Sequence, residues 1–487
     1  MTKRSSFGTA ALALALVFGP SCDDDDDRRC EIGTNEGCDE GSFCEEVGDG
    51  TTDCYCSVLD QTGCEEGLVC ERIDVGHSGC FAPIFIKGRV FDLTNDAAIG
   101  GAHVLARDAN NVAASGVAIT AADGTYTVDV RATRTADGAV IPQDITMRAD
   151  ANGFQTFPTP PRVALPVEVS NAAGDPPTIQ SASTEIGMLP LPPGDRGSIS
   201  GTVNAPRPGG TLIVAGGGMD GGGVTGVSHT DGTYTVFNVP AGPASVRGYK
   251  VGLNLSTASG TVVANDTITG VNLDWVSDAV ARIDGKIELV NPGDGKETSV
   301  IFVVREAFIP NVASGEAPPG LRVGHITGAF AINGVPDGNY VVLAAFENDF
   351  LVRDPDTAIG GTDIVYMDVA GASETIPESF KVTGALDVVR PDNEEPVSST
   401  PELVWVDDSG EDHYEIRVYN AFGELMWEKL DVPGVSGDHE VTVTYNDNGT
   451  GMPLVPGMLY QFRATSIKQG GSPISRTEDL RGVFLVQ

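Results

Sequence analysis

The chain is short of basic residues, of aromatic residues and of long apolar runs, and each shortage removes a class of function. Lys and Arg number 30 against 68 Asp and Glu, a net charge of −38. Such a surface repels phosphate backbones and anionic lipid headgroups, so nucleic acid is excluded as a partner. Aromatic residues make up 6% of the chain, and tryptophan occurs only at Trp275, Trp405 and Trp427. Beyond the N-terminus no segment approaches the roughly 20 apolar residues of a membrane helix, and helical periodicity is almost absent. Catalytic signatures are missing too. None of His77, His103, His229, His325, His413 and His439 has Glu three residues on, and there is neither a Gly-x-Ser-x-Gly elbow nor a Gly-x-x-x-x-Gly-Lys phosphate loop. Carboxylate pairs in so acidic a chain occur by chance, so no catalytic residue, metal or cofactor is assigned and the chain reads as a non-enzyme.

What the chain has is turns. Its 61 glycines and 30 prolines punctuate short strands, while 41% hydrophobic content suffices for packed cores. The organising stretch is Asp123-Gly124-Thr125-Tyr126-Thr127-Val128, which returns as Asp231-Gly232-Thr233-Tyr234-Thr235-Val236 and, degraded, as Thr327-Gly328-Ala329-Phe330-Ala331-Ile332. Asp-Gly supplies the positive φ of a tight hairpin turn. The alternation after it predicts a strand with Tyr126, Val128 and Val130 facing a core and Thr125, Thr127 and Asp129 facing water. Upstream of each copy stands a strand with a glycine, at Gly88, Gly201 and Gly285. These glycines lie 113 and then 84 residues apart, so the unit is a whole small domain present three times. The predicted fold class is all-β, a string of antiparallel β-sandwiches behind a small disulfide-rich module.

The middle of the chain carries a resemblance. Ile86-Lys-Gly-Arg-Val-Phe-Asp, then Ile99-Gly-Gly-Ala-His-Val-Leu-Ala106, then Thr120 to Val128, resembles the carboxypeptidase regulatory-like domain, which implies a transthyretin-like antiparallel sandwich grouped with starch-binding-like folds. The copies are placed at 85–192, 196–278 and 281–388, the last divergent. The family motif specifies turns and core tyrosines, and no peptidase residues accompany it. The histidines His103 and His229 read as structural or surface groups, and Gly216 to Gly223 as a flexible loop between strands, since no helix follows to make a phosphate cradle. Residues 389–487 change character: Pro401-Glu-Leu-Val-Trp405, Tyr414-Glu-Ile-Arg-Val418 and Leu454-Val-Pro-Gly457-Met-Leu-Tyr460 resemble a fibronectin type III domain. That resemblance implies that Trp405 and Tyr460 are core and leaves Trp427 and Tyr419 as the aromatics open to solvent.

At the other end, Lys3 and Arg4, the apolar stretch Ala10 to Phe18 and small residues before Cys22 read as an export signal. The arrangement resembles a bacterial lipoprotein signal, which implies lipidation of Cys22 after removal of the residues before it. Gly19-Pro20-Ser21 stands where such signals usually begin with Leu, and the alternative is ordinary cleavage to a soluble secreted product. Residues 23–29, with Asp23 to Asp27, read as a solvated acidic tether outside the membrane. No ordered loop with alternating ligands surrounds these aspartates, which argues against calcium.

Residues 30–80 hold a duplicated cysteine unit. Cys30, Cys38, Cys44 and Cys54 are followed by Cys56, Cys64, Cys70 and Cys80, with the same steps of 8, 6 and 10 and a displacement of 26. The even count lets every cysteine pair within the module, in any of three patterns per unit, leaving Cys22 over. Cys54-Tyr-Cys56 lacks the CxxC spacing of structural zinc sites. The module resembles short disulfide repeats of bacterial surface proteins.

Together these features predict a lipid-anchored, non-enzymatic protein of the cell envelope, at the outer membrane or cell surface, acting as a spacer, adhesin or protein-interaction module. The alternative is polysaccharide binding, which the starch-binding-like resemblance implies, with Trp275 as the main ring platform and Trp427 as a second. Against it stands packing of Trp275 between the second and third sandwiches.

Overall fold

The computed structural model describes residues 30, 37–38, 42–48, 51–58, 61–74, 76–108, 112–159, 162, 164–218, 221–290, 297–310, 315–347, 365–383, 385–408, 410–435, 439–471, 473–478 and 480–487. Cys22, the export signal and the tether at 23–29 lie outside them. The chain divides into two units, Met1–Cys64 and Glu65–Gln487, a division that falls inside the 30–80 cysteine module. Among the described residues the regular elements are strands and three single-turn 3₁₀ helices, Val169–Asn171, Ala182–Thr184 and Arg305–Ala307.

In the first unit, Ser42–Gly48 pairs antiparallel with Thr51–Cys56. Disulfides Cys30–Cys44 and Cys38–Cys54 fix the pattern that the spacing left open, first to third and second to fourth. Cys56, Cys64, Cys70 and Cys80 are disulfide-bonded as well.

The second unit contains the three repeated sandwiches, and their strand plan is the same each time. An opening strand, Ile84–Asp92, Arg196–Asn204 or Ala281–Val290, pairs antiparallel with the hairpin strand Thr125–Val130, Thr233–Pro240 or Ala329–Val335. On its other side it runs parallel to the closing strands: Thr178–Ile179 and Ile186–Met188, Thr267–Ile268 and Leu273–Asp278, or Glu374–Thr383. The facing sheets are antiparallel and centred on His103–Arg107 with Asp144–Asp150, Leu212–Ala215 with Gly242–Tyr249, and Glu297–Val304 with Gly338–Glu347. The parallel pairs differ from the expected all-antiparallel sandwich. They arise because the chain returns to its own opening strand from the far sheet, and such a crossover delivers the last strand in the same direction as the first.

The repeated sequence signature has a packing cause. Gly88 lies opposite Tyr126 and Gly201 opposite Tyr234, on adjacent strands. A Cβ at Gly88 would stand 1.9 Å from the Thr184 carbonyl oxygen, and one at Gly201 would stand 1.8 Å from that of Val271. The tyrosine hydroxyls donate to those same carbonyls, Tyr126 to Thr184 at 2.6 Å and Tyr234 to Val271. Glycine therefore lets the closing segment come close, and the ring beside it covers the gap while its hydroxyl satisfies the buried carbonyl. In the third copy Phe330 covers Gly285 by its ring alone. The hairpin strand alternates as predicted, with Tyr126, Val128 and Val130 buried and Thr125, Thr127 and Asp129 exposed.

The last sandwich sets Val388–Arg390, Glu402–Val406 and Glu440–Thr444 against a sheet of Glu395–Val397, Val483–Val486, Leu459–Ile467, His413–Asn420 and Leu425–Pro433. Trp405, Tyr414, Phe462 and Tyr460 fill its core.

Successive sandwiches of the second unit share buried contacts. The Arg148 guanidinium of the first reaches Glu316 of the third at 2.6 Å and the Thr225 carbonyl of the second at 3.2 Å. The glycine stretch after Ala215 also differs from the flexible loop expected of it. The Gly223 amide donates to the Glu306 carbonyl at 2.7 Å, and a Cβ at Gly217 or Gly221 would meet the Glu306 or Phe308 carbonyl at 2.7 Å. Glycine is required there because the third sandwich's backbone lies against it.

Candidate functional site

Metal chemistry finds no assembled site among the described residues. The groups of three potential metal-ligand atoms within 4.8 Å of one another consist of cysteines, all of them in disulfides and so without a thiolate to offer. The buried charged residues are engaged in holding elements together. Glu71 bonds Arg134 at 2.6 Å, and Glu306 accepts the Tyr249 hydroxyl at 2.8 Å. His103 is half-buried, edge to face with His229 at 5.0 Å and with Phe237 at 4.9 Å, where the first sandwich meets the second. Burial, and then the neighbouring His229, pull its pKa down to about 4, so the ring is neutral at ordinary pH.

The feature that remains is the closing strand of the second sandwich, Leu273–Asp278. Leu273 is fully buried and faces the core, and each of the next five residues is exposed. Trp275 keeps 47% of its surface in water, Val276 66% and, just beyond the strand, Val280 73%. The backbone is nonetheless fixed from both sides. Leu273 and Asp274 pair with Val203 and Asn204 of the opening strand, and Leu255 of the edge strand Leu253–Leu255 lies opposite Trp275. Side chains reinforce the pairing: Asn204 donates to Asp274 at 2.8 Å, the Asp274 amide to Ser256 at 2.9 Å, and Asn254 to Ser277 at 3.3 Å. The result is an indole with about half of its surface in solvent, on a strand paired along both edges. Asp274, Ser277 and Asp278 are exposed polar residues of the same strand. Such an arrangement can stack a planar or ring-shaped partner and bond its polar rim.

Trp427 takes a different place from the one expected. It is 2% exposed, lies opposite Val418 on the inward face, and stacks edge to face on Tyr445 at 5.2 Å. Its indole N–H donates to Asn448 Oδ1 at 2.8 Å. It is a core residue with its one polar atom satisfied, and it offers no platform. Tyr414, Ile416 and Val418 point inward on the neighbouring strand, and the Trp427 ring beside Val418 closes that layer. Tyr419, on the same strand, is half-buried.

No family model matches the chain, and no curated protein does. Solved structures similar to it include the major pilin subunit BcpA of Bacillus cereus, 9% identical over 61% of this chain and 99% of that one, with a TM-score of 0.15. A DUF3823 family protein of Bacteroides ovatus is 12% identical over 41% and 97%, with a TM-score of 0.21. The shaft pilin SpaA of Lactobacillus rhamnosus GG is 7% identical over 40% and 97%, with a TM-score of 0.17. At these identities and scores the likeness assigns no role to any residue of this chain.

Proposed function

We propose that the chain is an exported, non-enzymatic surface protein, tethered to the cell envelope by a lipid on Cys22, that captures a partner or a neighbouring surface. The eight cysteines between residues 30 and 80 are all disulfide-bonded, which suits an oxidising compartment. A lipid anchor of more than one acyl chain, at about 0.8 kcal/mol per buried methylene, gives stable attachment, and the acidic residues 23–29 then stand off the membrane as a solvated spacer. The observation that carries the binding role is Trp275, held outward on a strand fixed from both sides. Polysaccharide is the second reading, favoured by the same exposed indole.

The tether is tested by the intact mass of the membrane-extracted mature protein beside Cys22→Ser. An N-terminus at residue 22 carrying acyl chains is the expected result, and a plain soluble polypeptide defeats the anchor. Pull-down on insoluble polysaccharides with wild type and Trp275→Ala separates the two binding readings. Retention that depends on Trp275 supports the glycan reading, and no retention by either protein removes it.

A further inference from the structure

The end of the hairpin strand and the turn after it play one role in the second and third sandwiches: they meet the sandwich before. In the second, the Asn238 side chain accepts the Gly153 amide of the first at 2.7 Å and donates to the carbonyls of Ala151 and Phe154 at 2.8 and 2.9 Å. In the third, the Gly334 carbonyl accepts the Gly252 amide of the second at 2.8 Å, and the Asp337 amide donates to Asn254 Oδ1 at 2.8 Å. Both received turns contain a glycine of positive φ, 81° at Gly153 and 78° at Gly252. Among the described residues no sandwich precedes the first copy, yet its corresponding surface is filled.

The occupant is the segment 65–81. Its strand Val69–Ile73 runs parallel to Thr133–Arg134, which follows the first hairpin strand. Glu71, wholly buried, accepts the Ala132 amide at 2.8 Å and Arg134 Nε at 2.6 Å. The Arg134 guanidinium lies 4.7 Å from the centre of the Phe81 ring, and the Asp74 amide donates to the Arg134 carbonyl at 2.8 Å. The turn after the strand again carries a glycine of positive φ, Gly76 at 97°. The segment thus meets the first sandwich at the place where a preceding sandwich would.

The segment has little core of its own. Among its described residues only Cys70 and Glu71 are buried. Its strands Val69–Ile73 and Ser78–Phe81 form one antiparallel pair, with Cys70 opposite Cys80, and both cysteines are disulfide-bonded. A two-stranded hairpin without a core is marginal in water.

We propose that residues 65–81 are a cap, docked on the interaction surface that the second and third sandwiches turn toward their preceding neighbours, and that the cap stays in place only while the disulfides of Cys70 and Cys80 are closed. An added dithiol opens each disulfide to two thiols by giving it two electrons and closing to its own cyclic disulfide. Without cross-links the ordering entropy of the segment is no longer offset. Glu71 leaves, and the Ala132 amide and Arg134 guanidinium pass to water.

The test is hydrogen exchange on the full chain, oxidised and after complete reduction with dithiothreitol and alkylation. Peptides covering 131–135 are expected to lose protection about tenfold or more, while those covering 84–92 and 144–150 keep theirs. Glu71→Ala in the oxidised chain is expected to give the same local loss, and Glu71→Gln, which keeps an acceptor for Ala132, a smaller one. Unchanged protection of 131–135 in the fully alkylated protein overturns the disulfide dependence. Loss that spreads to 84–92 and 144–150 makes the segment an integral part of the first sandwich and overturns the cap.

Discussion

Arg148→Met is the perturbation that tests how firmly the repeated sandwiches are locked together. The Arg148 side chain is 1% exposed, and its guanidinium meets Asp150 at 3.0 Å and Glu316 at 2.6 Å. It also donates to the Thr225 hydroxyl at 3.1 Å, so that one side chain joins the first, second and third sandwiches. Burial works against the charge, but Asp150 and then Glu316 outweigh it, and the pKa stands above its ordinary value. Methionine has similar length and no charge, and it leaves two poorly solvated carboxylates without their main cation. Breaking a buried pair from one side costs ~3–5 kcal/mol. Two contacts favour the lower end: Arg107 remains 3.8 Å from Glu316, and Thr156 still donates to Asp150 at 2.7 Å. The expected loss is therefore about 3 kcal/mol, read from the urea dependence of amide exchange in His103–Arg107 and Asp144–Asp150, which needs no single unfolding transition. Glu316→Gln made alone and together with Arg148→Met completes a cycle, and a coupling of about 1–3 kcal/mol is expected between residues in direct contact. A loss below ~1 kcal/mol, or additivity within ~0.5 kcal/mol, would refute the view that this cation holds the three sandwiches together.

Gly201→Ala must push the Val271 carbonyl away from a Cβ that would otherwise stand 1.8 Å from it, and is expected to cost about 3 kcal/mol in thermal unfolding. Gly218→Ala, which meets nothing within 4 Å, is expected to leave the transition nearly unmoved. Trp427→Ala opens a cavity in the last sandwich and is expected to cost ~3–5 kcal/mol, whereas Trp275→Ala is expected within ~0.5 kcal/mol of wild type in the same urea titration. The His103 pKa is lowered in the folded chain from 6.5 to about 4, so the unfolded chain takes up the proton first. Its contribution is full above pH 6.5 and is lost as pH falls toward 4, and His103→Phe is expected to flatten the stability profile across that window.

How much was legible in the sequence follows the range of each interaction. Alternation along Thr125–Val130 and the Asp-Gly turn before it are local, and they gave the strand and its inward face. The opening glycine and the hairpin tyrosine were both visible as repeated residues, but their being cross-strand partners required the fold. Trp427 was misplaced because its inward direction depends on Val418 of the neighbouring strand, whose register is set by two bulges. The joints between sandwiches were not legible at all. Asn238, Arg148 and Arg162 look like surface polar residues in a linear reading, and only the folded chain brings each to its acceptor. For the same reason the glycine stretch after Ala215 read as free: its requirement for glycine comes from Glu306 and Phe308, some ninety residues later.

The first sandwich touches every other part of the second unit. It meets the second sandwich through Asn238 and the third through Arg148. It meets the last through Arg162, whose Nε and Nη2 donate to the Phe422 carbonyl at 3.0 and 2.6 Å, with Phe91 edge to face on Phe422 at 5.5 Å. Leu165 joins Ala421, Leu459 and Val483 in a further buried cluster at the same contact. The last sandwich therefore returns to the first, although the third precedes it in sequence. Under the binding role proposed for Trp275, a strand held in sandwiches tied together this way would lose little freedom on capture, because the frame has already lost it in folding. The proposed capture would then carry a lower entropic cost without an added contact.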